Sequence, residues 1–197
     1  MKLHNVEQGT LEWMQARCGK FTASNFAKLF MAVSTKGYQD YINNVVFERL
    51  TGKQAEAYTN EWMLRGSELE EEARISYESR TFNIVEQVGF VEYSEWIGAS
   101  PDGLIDADGL IEIKCPKHTT VIEYLLSDKI PKDYYWQMQG QMMVTDRKWC
   151  DYFIYHPDLE PIIKRVKREP KDIVLLIAEL DKAIIETQNR IRTIGAK

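Results

Sequence analysis

Apolar and polar positions in the first part of the chain follow a helical period. Between residues 22 and 79 the apolar positions recur every three or four residues in three separate stretches. This spacing predicts amphipathic helices at about 22–33, 38–52 and 60–79. The second ends at Gly52, the residue type that most readily closes a helix. Residues 1–21 show no clear period, so we expect them to be irregular.

The pattern then changes to short segments that are rich in β-branched and aromatic residues and are separated by turn residues. Such segments predict strands at FNIVEQVGFVEY, WIGAS, DGLID and LIEIK, and later at WCDYFIYH and EPIIKRVKRE. Helical stretches follow at TTVIEYLLSD, at DYYWQMQGQMMVT after Pro131, and at 170–193. This order predicts an α/β (α+β) fold with a central mixed sheet flanked by helices. With no repeat or linker, we expect one domain over 1–197.

Composition excludes several classes of protein. The 25 Lys and Arg against 30 Asp and Glu give a net charge of −5, which argues against coating nucleic acid through bulk charge but leaves room for a basic groove. The three cysteines are far apart and form no CxxC pair, which disfavours a disulfide scaffold, a zinc site and an iron–sulfur cluster. No apolar run suggests a signal peptide or a membrane span, so we expect a cytoplasmic protein.

The segment from Ser100 to Pro116 concentrates the candidate chemistry. In a strand over LIEIK, Glu112 and Lys114 share one face. A three-residue hairpin loop that ends at a left-handed Gly109 makes residue 106 pair with 110. Asp102 then lies opposite Lys114 and diagonal to Glu112, with Cβ separations of about 5 Å and 7–8 Å. Two carboxylates and one ammonium are expected to converge.

Two carboxylates without histidine or thiolate predict a hard-oxygen site for Mg²⁺, with Mn²⁺ as a substitute. Such an ion lowers the pKa of a bound water and neutralises charge on a phosphate, while an adjacent lysine orients or deprotonates the water. The predicted reaction is phosphodiester hydrolysis. The alternative is a solvated edge strand, where a Glu and a Lys two residues apart have no further role. Asp102 stands between a proline and a glycine, which favours the metal site.

These residues resemble the signature of the PD-(D/E)xK nucleases, with Pro101-Asp102 followed by Glu112-Ile113-Lys114. The similarity is greatest to phage lambda exonuclease and the YqaJ-like viral recombinase group. Three further segments agree with that group in order and spacing: RCGKFTAS at 17–24, RGSELEEEAR at 65–74 and YWQMQ at 135–139.

The resemblance implies a role for each matching residue. The implied catalytic set is Asp102, Glu112, Lys114, Glu70 and Gln137, and the implied metal ligands are Asp102, Glu112, Glu70 and the carbonyl oxygen of Ile113. The choice of Glu70 depends on the resemblance, because other acids surround it. Arg17 and Ser24 match residues that bind the 5′-phosphate of DNA, although without the resemblance Ser24 would be interpreted as a plain helix-cap residue. Met63 matches an apolar strand-separating wedge, and core filler is the alternative.

The resemblance also implies an activity and partners. Members of the group are Mg²⁺-dependent exonucleases that digest one strand of duplex DNA from the 5′ end, releasing mononucleotides and leaving 3′ overhangs. They form a homotrimeric ring and act with a single-strand annealing protein in phage-type recombination, in the cytoplasm of a bacterial host. The alternatives are a sequence-specific PD-(D/E)xK endonuclease and a non-catalytic DNA-end-binding protein.

Overall fold

The computed structural model describes residues 1–55, 61–127 and 129–195, and the side chains of residues 61–68 lie outside that description. The helices are Leu11–Arg17 (α1), Lys36–Thr51 (α2), Glu61–Thr81 (α3), His118–Ser127 (α4), Lys132–Thr145 (α5) and Pro170–Gly195 (α6), with a 3₁₀ helix at Ala23–Phe30. The strands are Lys2–His4 (β1), Phe21–Thr22 (β2), Val85–Glu86 (β3), Phe90–Glu92 (β4), Ile97–Ala99 (β5), Gly103–Ile105 (β6), Gly109–Lys114 (β7), Trp149–His156 (β8) and Leu159–Lys167 (β9).

The described strands form two sheets with helices packed against them. One has four strands in the order β1-β4-β5-β2, and the other has five in the order β3-β6-β7-β8-β9. Both are mixed, because β2 runs parallel to β5 and β7 runs parallel to β8, while the remaining pairs are antiparallel. The predicted fold class, mixed sheet flanked by helices, is therefore confirmed. The single central sheet that we expected is divided into two.

Strand β7 lies at the centre of the larger sheet and is covered on both faces. Ile111 packs in one apolar cluster with Ala73 of α3, and Leu110 packs in another with Met138 and Met142 of α5. Successive side chains of a strand point to opposite faces. Glu112 therefore shares the face of Leu110 and is directed toward α5, inside the protein.

The N-terminal region differs from the prediction. Residues 1–21, expected to be irregular, contain β1, α1 and the start of β2. Their local pattern is weak because α1 has only seven residues and none of them is buried. The two strands form by pairing with β4 and β5, which lie more than 70 residues further along the chain. The helix predicted at 22–33 is the 3₁₀ helix, with Thr22 at its N-cap position.

Segments with a strong local pattern agree with the prediction. Helix α2 is followed by Gly52 in the left-handed conformation, with a φ of 66°. The segment WCDYFIYH forms β8, and α5 starts directly after Pro131. Across the described ranges, none of the helices combines the length and the apolar character that a membrane crossing needs.

Candidate functional site

The hairpin of β6 and β7 brings Asp102 beside Glu112 with a register different from the expected one. Gly103 pairs with Ile111, so the same register places Asp102 across from Glu112 rather than Lys114. The prediction was wrong because the left-handed residue of the loop is Asp106, with a φ of 46°, and not Gly109. The shift amounts to two residues, and side chains alternate with a period of two. Asp102 therefore stays on the face that carries Glu112 and Lys114.

Gly109 has a packing role instead of a turn role. It is the first residue of β7 and pairs with Trp149 of β8. A Cβ atom at this position would lie 2.1 Å from the indole ring of Trp149. A glycine is needed here for close approach, and this cannot be distinguished from a turn glycine by sequence alone.

Glu112 is the buried centre of the site, with 0% of its surface exposed. Its Oε1 accepts hydrogen bonds from Gln137 Nε2 at 2.6 Å and from the ammonium of Lys114. Its Oε2 accepts a hydrogen bond from Gln141 Nε2 at 2.6 Å. The two glutamines are four residues apart on α5 and so face the same way. Gln141 was not among the predicted site residues, although its spacing from Gln137 was a usable signal.

Asp102 lies in a strongly negative environment. Its Oδ2 accepts a hydrogen bond from the backbone N–H of Ile113 at 2.6 Å. Burial raises the pKa of Asp102 well above its usual range, and the carboxylates of Glu112 and Glu70 raise it further against the opposing effect of Lys114. The structure thus brings Asp102, Glu112, Lys114 and Glu70 within electrostatic range of one another.

Glu70 is distinguished from its acidic neighbours by its surroundings. Burial raises the pKa of its carboxyl group, and Glu112 and Lys114 act on it with opposite signs. Glu71 and Glu72 are exposed, and Glu72 accepts a hydrogen bond from the Tyr155 hydroxyl at 2.5 Å. The side chains of Glu68 and Met63 lie outside the described residues, so the predicted wedge cannot be placed.

Lys114 keeps its positive charge in this environment. Burial alone lowers the pKa of its ammonium, but the carboxylates of Glu112 and Asp102 outweigh burial and raise the pKa above its usual value. Its Nζ also lies 5.1 Å from the ring centre of Tyr134. A protonated lysine donates hydrogen bonds and stabilises negative charge.

The site suits a divalent cation in donor type and in charge. Three carboxylates face one ammonium, and Asp102 and Glu70 both have raised pKa values for which burial is the main cause and carboxylate repulsion an additional one. A hard cation would relieve that repulsion, and oxygen donors are the ligands that Mg²⁺ and Mn²⁺ prefer. Among the described side chains, no three His, Cys, Asp or Glu are already gathered in metal-binding geometry.

A second cluster surrounds Arg17 at the end of α1. Its Nη1 donates to Ser100 Oγ at 3.0 Å, and its Nη2 lies 3.5 Å from Thr22 Oγ1. Thr22 Oγ1 is in turn 3.4 Å from Ser24 Oγ. The guanidinium stacks over Trp13 at 4.1 Å from the ring centre. The structure therefore brings Arg17 and Ser24 into one pocket of hydroxyl groups.

The Arg17 pocket has a positive charge and neutral partners. Burial lowers the pKa of Arg17 to about 10, so the guanidinium is protonated at neutral pH. Its hydrogen-bond partners within the described chain are neutral hydroxyls. Ser100 also accepts a bond from Trp13 Nε1 at 2.8 Å and precedes Pro101-Asp102 directly, which links the two clusters. Sequence analysis named neither Ser100 nor Trp13 as a site residue. For Ser100 the adjacency to Asp102 was a signal, whereas Trp13 had none.

A mixed sheet whose central hairpin carries Pro-Asp and Glu-x-Lys, flanked by helices, is the restriction-endonuclease-like fold. Residues 12–148 match the model of the YqaJ-like viral recombinase domain. The chain belongs to this family, and the resemblance found in the sequence is confirmed.

Solved structures agree with this assignment. An alkaline exonuclease (LHK-Exo) from Laribacter hongkongensis is 37% identical, with a TM-score of 0.89 over 95% of this chain and 97% of that one, and its complex with dAMP matches equally well. A phage related exonuclease from Haemophilus somnus is similar in fold only, at 16% identity and a TM-score of 0.64 over 90% and 95% of the two chains. An uncharacterised protein of Acanthamoeba polyphaga mimivirus is 26% identical over an alignment of 166 residues that covers 77% of this chain but only 29% of that protein.

Proposed function

We propose that this protein is a Mg²⁺-dependent exonuclease that digests one strand of duplex DNA from the 5′ end, releasing mononucleotides and leaving 3′ single-stranded overhangs. Membership of the YqaJ-like viral recombinase family supports this proposal, as does the likeness to an alkaline exonuclease at 37% identity. The observation that carries it is the buried Glu112, held by Lys114 and two glutamine amides beside Asp102 and Glu70.

In the proposed reaction, Asp102, Glu112, Glu70 and the carbonyl oxygen of Ile113 would hold Mg²⁺, for which Mn²⁺ could substitute. When bound, such a cation would lower the pKa of the attacking water and neutralise charge on the scissile phosphate. Lys114 is protonated, so its ammonium orients the attacking water and stabilises the negative charge that grows on the phosphate oxygens. Gln137 donates to Glu112 and keeps that carboxylate in place.

The Arg17 pocket gives the proposed enzyme its direction. A guanidinium with neutral hydroxyl partners suits a terminal phosphate, because a charged donor can bind two phosphate oxygens at once. Ser24 and Ser100 would add hydroxyl donors to the same phosphate. Anchoring the 5′-phosphate here fixes which phosphodiester bond reaches the carboxylates. Met63 is proposed as the wedge that separates the strands at the duplex end.

The proposed assembly is a homotrimeric ring around the duplex, built from one nuclease domain per chain. A heterologous interface that closes on itself makes such a ring from identical copies. Its partner is a single-strand annealing protein that binds the 3′ overhang in phage-type recombination, in the cytoplasm of a bacterial host. Light scattering at micromolar concentration should give three times the mass of the 23.0 kDa chain, and a monomer that still digests DNA processively would contradict the ring.

One gel experiment tests the activity. Linear 5′-phosphorylated duplex, its 5′-hydroxyl counterpart and a covalently closed circle are each incubated with Mg²⁺ or with EDTA. We expect digestion of the linear substrates in Mg²⁺ only, faster with the 5′-phosphate, and an intact circle. Cutting of the circle would instead support a sequence-specific endonuclease. Binding of DNA ends without release of nucleotides would support a non-catalytic end-binding protein.

A further inference from the structure

Gln141 occupies a place where stability alone favours an apolar side chain. Only 1% of it is exposed, and its neighbours Met142 and Met143 are apolar and buried. Its Oε1 is buried without a hydrogen-bond partner among the described residues. A buried amide oxygen without a partner destabilises a fold relative to an apolar group of similar shape. The contribution of Gln141 is therefore to be sought in its other group, the Nε2 that donates to Glu112.

A count of acceptor positions on Glu112 shows what that hydrogen bond does. An ionised carboxylate offers about four lone-pair positions, two on each oxygen. Lys114 and Gln137 occupy those of Oε1, and Gln141 occupies one of Oε2. One position on Oε2 is left. Gln141 thus holds the carboxylate oxygen that Gln137 and Lys114 do not contact, and it determines where the remaining acceptor position of that oxygen points.

We propose that Gln141 is a positioning residue that fixes Glu112 as a one-oxygen ligand, with the remaining Oε2 position directed at the cation. This inference rests on the proposed metal-dependent function. Without Gln141 the carboxylate is held through Oε1 alone and can pivot about that oxygen. Hydrogen bonds that orient a metal-ligating side chain typically change metal affinity by about 10–100-fold.

Gln139 provides a matched control on the same helix. It is as buried as Gln141, with 0% exposed, but both ends of its amide are paired. Its Nε2 donates to the carbonyl of Lys167 at 2.8 Å, and its Oε1 accepts from the backbone N–H of Glu169 at 3.0 Å. Gln139 therefore joins α5 to the segment between β9 and α6, and its contribution is structural.

The experiment compares Gln141→Met with Gln139→Met in two measurements on the DNA-free protein. Calorimetric titration with Mn²⁺ gives the metal affinity, and thermal unfolding in EDTA gives the stability. We expect Gln141→Met to weaken Mn²⁺ binding by about tenfold or more. Its Tm should fall less than that of Gln139→Met, because removal of the unpaired Oε1 offsets the loss of a donor to Glu112. Gln139→Met should lower the Tm and bind Mn²⁺ like the wild type. Gln141→Asn keeps an amide but is one methylene too short, so it should weaken Mn²⁺ binding like Gln141→Met.

Wild-type Mn²⁺ affinity in both Gln141 variants would overturn the inference. So would a Gln141→Met protein that unfolds or loses Tm as much as Gln139→Met, because Gln141 would then serve the stability of the fold. If the wild-type protein itself binds no Mn²⁺, the proposed metal-dependent function fails, and this outcome is distinct from a failure of the role of Gln141.

Discussion

Two buried carboxylates on the neighbouring strands β7 and β8 balance their charge in different ways. Asp151 on β8, with 2% of its surface exposed, accepts two hydrogen bonds from Arg165, through Nε and Nη2, both at 2.8 Å. The hydroxyl of Tyr77 adds a third at 2.6 Å, and the guanidinium stacks on Trp149. One carboxylate thus meets one guanidinium, and the pair is complete.

Glu112 on β7 also accepts three hydrogen bonds, but two of its donors are neutral amides. Its one charged donor, Lys114, also interacts electrostatically with the carboxylates of Asp102 and Glu70. Three carboxylates therefore meet one ammonium. A buried acid is therefore not in itself a functional signal. A local surplus of acids with raised pKa values is one, because folding alone gives no reason to assemble it.

The largest expected effect comes from removing the charge of Asp102 or Glu112, where three carboxylates share one ammonium. Asp102→Asn or Glu112→Gln should slow the turnover of 5′-phosphorylated duplex on the order of 10³-fold. This loss corresponds to an activation barrier raised by several kcal/mol. Stability in EDTA should stay the same or rise in Asp102→Asn, because this substitution removes repulsion between carboxylates. It should fall in Glu112→Gln, because the new amide nitrogen cannot accept the hydrogen bonds that Lys114 and the two glutamines donate to Glu112. A fluorescence assay of nucleotide release and urea unfolding measure the two quantities.

Glu71→Gln serves as the control for these variants, since Glu71 is an exposed acid one residue from Glu70. It should digest DNA at the wild-type rate. Turnover within about tenfold of wild type in either Asp102→Asn or Glu112→Gln would contradict the assignment of the site, because that loss is worth only about 1.4 kcal/mol.

The next effect separates binding from rate at Lys114. Lys114→Ala should lower the turnover rate on the order of 10²-fold, since its ammonium acts on charge that develops in the transition state. Affinity for duplex DNA, measured by anisotropy in Ca²⁺, should remain near the wild-type value. If affinity and rate fall by the same factor, Lys114 is a phosphate contact and not a catalytic residue.

At the Asp151–Arg165 pair, where the two charges balance, a substitution should change stability and leave activity intact. Arg165→Met leaves Asp151 buried without its counter-charge, which should cost about 2 kcal/mol of unfolding free energy, less than for a fully buried pair because Arg165 is half exposed. Turnover per folded molecule should match the wild type. Adding Asp151→Leu to Arg165→Met should recover part of the stability, and a double variant less stable than Arg165→Met would contradict this account.

The fold could be predicted where the local sequence pattern is strong. It could not be predicted where contacts between distant residues determine the structure. The apolar runs of β7 and β8 and the closing Gly52 are local signals, and all three appear as expected. The register of the β6–β7 hairpin was wrong because Asp106 and Gly109 are both suited to a left-handed position. Contact with Trp149, 40 residues further along the chain, gives Gly109 its role.

The residues of the site fall into the same two groups, those placed by a local pattern and those placed by distant contacts. Asp102, Glu112 and Lys114 lie within one hairpin, so their proximity follows from strand periodicity even with a register error of two. Glu70 stands in a run of acids, and only its burial distinguishes it from Glu71 and Glu72. Gln141 reaches Glu112 across 29 residues, and Ser100 reaches Arg17 across 83. The spacing of Gln141 from Gln137 and the adjacency of Ser100 to Pro101-Asp102 mark these residues as candidates, but the contacts themselves form only in the folded chain.

The Arg17 pocket has a positive charge with neutral hydrogen-bond partners, whereas the surroundings of Glu112 have an excess of carboxylates. Substitutions in this pocket have the smallest expected effect. A 5′-phosphorylated duplex should be digested faster than its 5′-hydroxyl counterpart, and Arg17→Ala should remove most of that preference. A charge-assisted hydrogen bond to the phosphate contributes about 1.5 kcal/mol or more, which corresponds to roughly tenfold in rate. Ser24→Ala should cause a smaller loss, about 0.5–1 kcal/mol, because a hydroxyl is a neutral donor. Lys28→Ala, which removes an exposed cation from the same 3₁₀ helix, is the control and should keep the preference. If Arg17→Ala slows both substrates equally, Arg17 supports general DNA affinity or folding, and the sensing of the 5′ end must be assigned elsewhere.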